Sequence, residues 1–395
     1  MLCDYYVPGY KAGGPIRVLE NLADLLGDDL ALRVITRDRD LGDAAPYSGI
    51  RRGNWCAVGK AQVRYLSPAE LRTGGLRRLL CGTPHDVLYL NSLFSPAFSI
   101  WPLSWRRLGL LPHGRVVLAP RGELSSASLR IKSYKKTPYL FLARYLHLYR
   151  DLKWHATCER EASDILALGV RLKLDRQLAV VPPTVLADIS ITRDNGVSRH
   201  WPEKRPNSLK VVFLSRISRI KNLPFAVSLL RDLPGNIEFN IFGPVEDADV
   251  WRDCQRLVAS LPSSVQVTYR GEVPHPDVPR VLASHDLFIL PTQSENFGYV
   301  IAESLGAGCP VLISDQTPWR DLAASGVGWD LQLDNREGFR QALLRCMGMT
   351  QQEHASMRRR AQQFVASRQS SDFHSRYMAL LSAASAPMMS APVTA

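Results

Sequence analysis

Residues 286–315 read DLFILPTQSENFGYVIAESLGAGCPVLISD, and this stretch decides the fold. An apolar run, DLFILP, stops at Pro291. Loop-forming residues follow as TQSENFG, then a helix-patterned run over 299–306, then the apolar PVLISD. Strand, helix and strand in close succession predict a parallel α/β sheet. The rhythm extends backwards through LKVVFLSR, a helix over 223–232, IEFNIFG, a helix over 247–261, VQVTYRG and a helix over 277–284. These elements predict a doubly wound domain.

The first half shows the same alternation more raggedly. Short strand-like runs occur at ALRVITR (31–37), DVLYLNS (86–92), RVVLAPRG (115–122), KWHATC (153–158) and LAVVPPTV (178–185). Residues 15–27, PIRVLENLADLLG, space Ile16, Leu19, Leu22 and Leu26 as a helix ending near Gly27. Only MLCDYYV stands ahead of it as a first strand. A βαβ unit normally has a longer one, so either the start codon is misassigned or this edge is weak. A chain of 395 residues exceeds one ordinary core. The expected division is a domain over 1–186, a polar linker over 187–208, a second domain over 209–381 and a disordered tail over 382–395. The last helix of the second domain is expected to pack back on the first.

The net charge of +12 attracts anions without choosing among them. Seven cysteines, widely spaced and without a CxxC pair, argue for reduced thiols rather than disulfides or zinc, and for a cytosolic compartment. No run is long and apolar enough to span a bilayer, and the N-terminus lacks a secretory pattern.

Two α/β domains imply a cleft, with chemistry in the loops that follow strands. Arg216 directly follows strand LKVVFL and Lys221 comes five residues later, so two cations suit a diphosphate there. Gly298 permits close backbone approach, and a helix starting at 299 offers free N–H groups to an anion. Glu295 and Glu303 bracket that helix start, and carboxylates accept hydrogen bonds from sugar hydroxyls. Taken singly, Glu295 also suits a helix N-terminus and Glu303 a surface position. In the first domain Gly13 and Gly14 precede a helix. They do not form GxGxxG and no acidic residue follows at the dinucleotide spacing, which argues against a nicotinamide site; they serve either as a tight strand-to-helix turn or to bring backbone N–H groups to a phosphate from the opposite wall.

The ordered set Ser215-Arg216, Lys221-Asn222, IFGP (241–244), Gly271-Glu272-Val273, HDLFILPTQSENFG (285–298) and AESLGAGCPVLISD (302–315) resembles the nucleotide-sugar glycosyltransferases of family 4. That family has the GT-B fold, two Rossmann-like domains facing a cleft. YYVPGYKAGGPIRVLENL, LAPRGELSSASLRIKSYKK and WHATCEREASDI resemble a bacterial subgroup that builds cell-surface polysaccharides.

The resemblance implies that Arg216 and Lys221 bind the donor diphosphate, Glu303 the ribose and Glu295 the donor sugar. Gly243, Val273, Asn296, Phe297 and Gly298 would line the donor site. Gly13 and Gly14 would approach the phosphate. It also implies retention of anomeric configuration, with no bound metal and no cofactor. Ser215 stands where many relatives carry glycine. Where many carry a histidine in the first domain, this chain reads Ala119-Pro120-Arg121-Gly122-Glu123, so Arg121 is expected to take over contacts near the donor.

The expected acceptor is a glycan or a polyprenyl-diphosphate-linked sugar. Trp101, Trp105, Arg106, Arg107, Lys132, Lys135, Lys136, Arg144, Arg150 and Lys153, with Leu103, Leu108, Leu110 and Leu111, suggest a basic amphipathic face for the inner membrane. Nucleic acid is not expected, since no known binding motif appears. The competing readings are a nucleotide-sugar epimerase on the same fold and a catalytically silent partner in a polysaccharide-assembling complex. A phosphorylase would need a larger chain or a pyridoxal lysine.

Overall fold

The computed structural model describes residues 1–72, 74–112, 114–172, 178–181, 201–368 and 372–381. The expected tail at 382–395 and most of the expected linker, 187–200, lie outside them.

The first unit holds strands β1 (Arg33–Arg37), β2 (Trp55–Val58), β3 (Ala61–Leu66), β4 (Val87–Leu90), β5 (Arg115–Leu118), β6 (Lys153–Ala156) and β7 (Leu178–Val180). They form a three-stranded set, β1-β3-β2, and a four-stranded set, β4-β5-β6-β7. Residues 1–3 join the two. Leu2 bridges to both Ile35 and Leu90. Its N–H donates to the Tyr89 carbonyl at 2.8 Å, and its carbonyl accepts from Asn91 N–H at 3.0 Å. The short first strand is therefore not a weak edge. It occupies the middle of the sheet, buried on both sides, which a few residues suffice to do. The hairpin β2–β3 went unpredicted, although Ala61, Val63 and Tyr65 alternate inward.

The second unit holds β8 (Ser208–Leu214), β9 (Asn236–Phe242), β10 (Val265–Gly271), β11 (Leu287–Leu290), β12 (Val311–Ser314) and β13 (Gly328–Leu331). All pair in parallel, in the order β10-β9-β8-β11-β12-β13. β11 and β12 are buried at every residue, as a sheet covered on both faces requires. The strand order reverses between β8 and β11, where Val211 faces Leu287. Loops after those two strands therefore meet at the topological switch point, where such sheets bind ligands.

Residues 201–207, placed in the linker by sequence, pack against the second unit. Trp201 donates to the Ala307 carbonyl at 3.2 Å, and fully buried Lys204 lies 3.8 Å from Asp286. At the other end, Tyr377 and Leu380 of helix Phe373–Leu381 lie in the first unit's core. Arg376 donates to the Val180 carbonyl at 2.9 Å. The last described helix thus straps back across the first sheet.

Candidate functional site

A cleft of about 960 Å³ separates the two units. On the second unit, β8 ends and Arg216 and Lys221 follow in a loop that drops into it. Gly243 makes that descent feasible: its φ is +126°, and a Cβ there would lie 2.0 Å from the Ser215 carbonyl oxygen. Arg216 pairs with Glu246 at 2.7 Å. Lys221 pairs with Glu295 at 2.5 Å, with both side chains largely buried.

The loop after β11 is held by the chain around it. Gln293 N–H donates to the Ile220 carbonyl at 2.7 Å, and Glu295 N–H to the Gln316 carbonyl at 2.8 Å. The Trp319 indole donates to the Phe297 carbonyl at 2.6 Å. Gly298 ends the loop in a left-handed turn, φ +81°, where a Cβ would come within 2.7 Å of Ile301 and 3.1 Å of Glu295. Only glycine fits there. Helix Tyr299–Gly306 starts at once, with its first N–H groups at the cleft. Glu303, one turn in, lies 3.1 Å from His275 Nε2.

The first unit supplies the facing wall. Gly13 has φ +69° and open space beyond it, while a Cβ on Gly14 would lie 3.5 Å from the Tyr299 ring. Asp40 accepts hydrogen bonds from Tyr10 N–H at 2.7 Å and Lys11 N–H at 3.1 Å, which fixes this glycine loop. At the cleft mouth Tyr10 donates to Glu272 of the other unit at 3.3 Å, with Lys11 at 3.5 Å from the same carboxylate.

Arg121 sits at φ +56°, unusual for a residue with a side chain. Its guanidinium donates to Asn91 Oδ1 and to the Tyr89 hydroxyl, each at 2.6 Å, and its Nη1 is buried with no partner. Tyr89 leads on to His155 Nδ1 at 2.7 Å. Burial, reinforced by the Arg121 charge, pushes His155 down to about 3, so it is neutral.

All the residues predicted from sequence line this one cleft: Gly13, Gly14, Arg121, Arg216, Lys221, Gly243, Val273, Glu295, Asn296, Phe297, Gly298 and Glu303. Sequence reasoning gave no role to Glu246, Glu272 and His275, which pair with Arg216, Lys11 and Glu303. It also missed Thr157 and Glu161, which meet Asn296 from the first unit. The spacing of Cys158, Arg160 and Glu161 after β6, another strand end, was the available signal.

Residues 198–364 match the family model described as glycosyl transferases group 1. D-inositol 3-phosphate glycosyltransferase of Paenarthrobacter aurescens is 29% identical over 147 residues, 36% of this chain and 36% of that protein. Sulfoquinovosyl transferase of Arabidopsis thaliana is 29% identical over 108 residues, 27% of this chain and 19% of that protein. The matched parts thus span about a third and a fifth of those relatives.

Among solved structures, sucrose-phosphate synthase from Thermosynechococcus elongatus superposes with TM-score 0.68 at 15% identity, over 94% of each chain. WaaG, a glycosyltransferase involved in lipopolysaccharide biosynthesis, gives 0.64 at 14% identity, over 97% of this chain and 99% of that one. Anabaena HepE, in complex with UDP and glucose, gives 0.63 at 17% identity, over 96% and 97%. The shared fold is GT-B: two Rossmann-like units facing a cleft.

Proposed function

We propose that this chain is a retaining glycosyltransferase that moves a hexose from a nucleotide-diphosphate sugar to a glycan or lipid-linked acceptor in bacterial exopolysaccharide or lipopolysaccharide synthesis. One observation carries the reading. The cations Arg216 and Lys221, the helix start at Tyr299 and the carboxylates Glu295 and Glu303 converge from separate elements on one cleft, facing Gly13, Gly14 and Arg121. The group 1 family match over the second unit and the UDP in a structural neighbour support it.

Breaking the anomeric C–O bond builds positive charge on the sugar and negative charge on the leaving diphosphate. Arg216, Lys221 and the helix N-terminus oppose the negative charge without reorganising, which is preorganised electrostatic stabilisation. Protein cations do here what a metal ion would otherwise do. Glu303 accepts from the ribose hydroxyls. Glu295 accepts from donor-sugar hydroxyls, and its pairing with Lys221 suits that role better than covalent attack. Arg121 is fixed by Asn91 and Tyr89 as a donor of hydrogen bonds and has no proton to exchange, so proton transfer falls to the acceptor and the leaving phosphate. A catalytically silent partner would have no need of this full set.

The acceptor side carries a membrane face in this proposal, which places the protein in the cytoplasm and peripherally on the inner membrane. Helix Ser133–Tyr145 exposes Tyr134, Pro138, Phe141 and Tyr145, one continuous stripe, with Leu142 beside it. Lys132, Lys135 and Arg144 flank it, and no acidic residue occurs from Leu124 to Arg150. Leu108, Leu110 and Trp101 are exposed nearby, whereas Leu103 and Leu111, counted on this face from sequence, are core. Arg106, Arg107 and Lys136 donate to backbone carbonyls of their own unit and Lys153 to the Ala379 carbonyl of the last helix, so they contribute less. No described helix is long and apolar enough to cross a membrane.

Calorimetric titration with UDP, GDP and dTDP, followed by donor-sugar hydrolysis for any that binds, tests the core of the reading. Binding of one diphosphate that is lost in Arg216→Ala is the expected result. Failure of all three to bind would overturn it.

A further inference from the structure

The donor loop reaches across the cleft through one side chain. The Asn296 amide donates to Thr157 Oγ1 at 2.5 Å and to Glu161 Oε2 at 3.1 Å. Glu161 is 2% exposed and also accepts from Gly122 N–H at 2.6 Å, Thr157 N–H at 2.8 Å and the Thr157 hydroxyl at 2.6 Å. Three donors thus come from its own unit, and Asn296 is a fourth from the other. Gly122 leaves the room for this: a Cβ there would lie 3.1 Å from Asn296 Cβ.

A second bond runs beside the first. Arg160 donates to the Gln316 side-chain oxygen at 2.7 Å, and the Gln316 carbonyl holds Glu295 N–H. Both cross-cleft bonds therefore land next to Glu295. The loop itself is fixed on its own unit through Ile220, Gln316 and Trp319. It needs no help from the first unit to keep its shape. What the Asn296 contact adds is the placement of the first unit over it.

We propose that Asn296 is a positioning residue whose side-chain amide latches the two units closed, setting Arg121 and Gly122 opposite Glu295. The proposal rests on the reading of the cleft as a nucleotide-sugar site. Opening costs little, because Glu161 keeps three donors and Asn296 regains water. A weakly biased latch of this kind lets donor in and product out while favouring the closed geometry during transfer.

The test uses the full chain with Asn296→Ala, which removes the latch, and Asn296→Asp, which sets a second carboxylate against Glu161. Thr157→Val breaks the same contact from the other unit and guards against a purely local folding effect. Small-angle scattering with and without UDP reads closure, calorimetry reads UDP affinity and steady-state kinetics read transfer. The wild type should be more compact than all three variants, most of all with UDP. UDP affinity should change by less than about threefold, since the second unit holds the nucleotide, while kcat falls about tenfold in Asn296→Ala and further in Asn296→Asp.

Equal compactness of wild type and variants would overturn the latch. So would loss of UDP binding in Asn296→Ala, which would make Asn296 a donor contact instead. A wild type that binds none of UDP, GDP and dTDP would defeat the functional reading, and scattering from the unliganded proteins would still decide the latch.

Discussion

Lys221 and Glu295 form an ion pair across 2.5 Å that ties the loop after β8 to the loop after β11 inside the cleft. A donor diphosphate must share Lys221 with that carboxylate. Glu295→Gln keeps the shape and removes the competing charge. UDP should bind at least as tightly as to the wild type, while sugar transfer falls about 100-fold as the donor sugar's hydroxyls lose their charged acceptor for a neutral amide. Calorimetry and steady-state rates on one preparation check this. A clear loss of UDP affinity would mean that Glu295 orients Lys221 toward phosphate.

Arg216 and Lys221 should matter to turnover far more than to folding. Arg216 is partly exposed and its pair with Glu246 is of the surface kind, worth at most about 1 kcal/mol. Each alanine variant should lose about 100-fold or more in kcat. The melting temperature of Arg216→Ala should move by no more than a few degrees. Normal transfer rates in both variants would remove them from the diphosphate site.

Glu303 and His275 should be read out in nucleotide affinity. Glu303→Gln exchanges charge-assisted hydrogen bonds for neutral ones and should weaken UDP binding about tenfold. His275→Ala frees the Glu303 carboxylate from its neighbour at 3.1 Å. It should therefore shift affinity in a direction opposite to, or smaller than, Glu303→Gln. Unchanged binding in Glu303→Gln would take the ribose assignment away.

The proposed membrane association rests on the stripe Tyr134–Phe141–Tyr145. Each aromatic ring that enters the interface carries apolar area, and each basic neighbour adds about 1 kcal/mol near anionic lipid. The wild type should float with anionic liposomes at low salt and be released at high salt. Phe141→Asp with Tyr145→Asp should abolish flotation and leave hydrolysis of the soluble donor unchanged. Wild-type protein that stays at the bottom of the gradient at low salt would end this part of the proposal.

The central strands of the second unit were the most legible, because β11 and β12 are buried at every residue and so read as apolar runs between turn residues, whereas edge strand β13 and the helices Arg336–Met347 and Gln351–Ala366 went unpredicted. Helix Tyr299–Gly306 stands at its predicted bounds, since Gly298 starts it by a conformation only glycine takes. The first unit was harder for physical reasons. Its central strand reduces to a few residues around Leu2, and hairpin β2–β3 depends on pairing partners far away in sequence. In the site, cations after strands and glycines at turns could be found from local pattern. Glu161 could not from local pattern alone: it follows a strand end at β6, but its importance comes from four hydrogen bonds, one of them made by Asn296 from 135 residues away. Nor could the placing of Trp201 and Lys204, whose contacts at Ala307 and Asp286 are made by the tertiary fold.

Acid should destabilise the first unit through His155. Its Nε2–H donates to the Val181 carbonyl at 2.8 Å, so Nδ1 accepts from the Tyr89 hydroxyl at 2.7 Å, and the ring is neutral. Burial and the nearby Arg121 charge hold it at about 3 in the folded chain, against about 6.5 when unfolded. Between those values the unfolded chain binds the extra proton. Stability therefore rises with pH in this window and is lost as pH falls below about 6.5, by about 2 kcal/mol at pH 5 from His155 alone. Burial lowers His285 and His354 in the same sense. Burial raises the Glu123 and Asp164 carboxyls, which acts the opposite way, so total slopes alone do not isolate His155. The comparison that does is His155→Leu against wild type by calorimetry at pH 7.5 and pH 5. The variant should be less stable at the higher pH, because Tyr89 and Val181 lose their partner, yet lose less on acidification. Equal losses in the two proteins would show that His155 takes up no proton on unfolding.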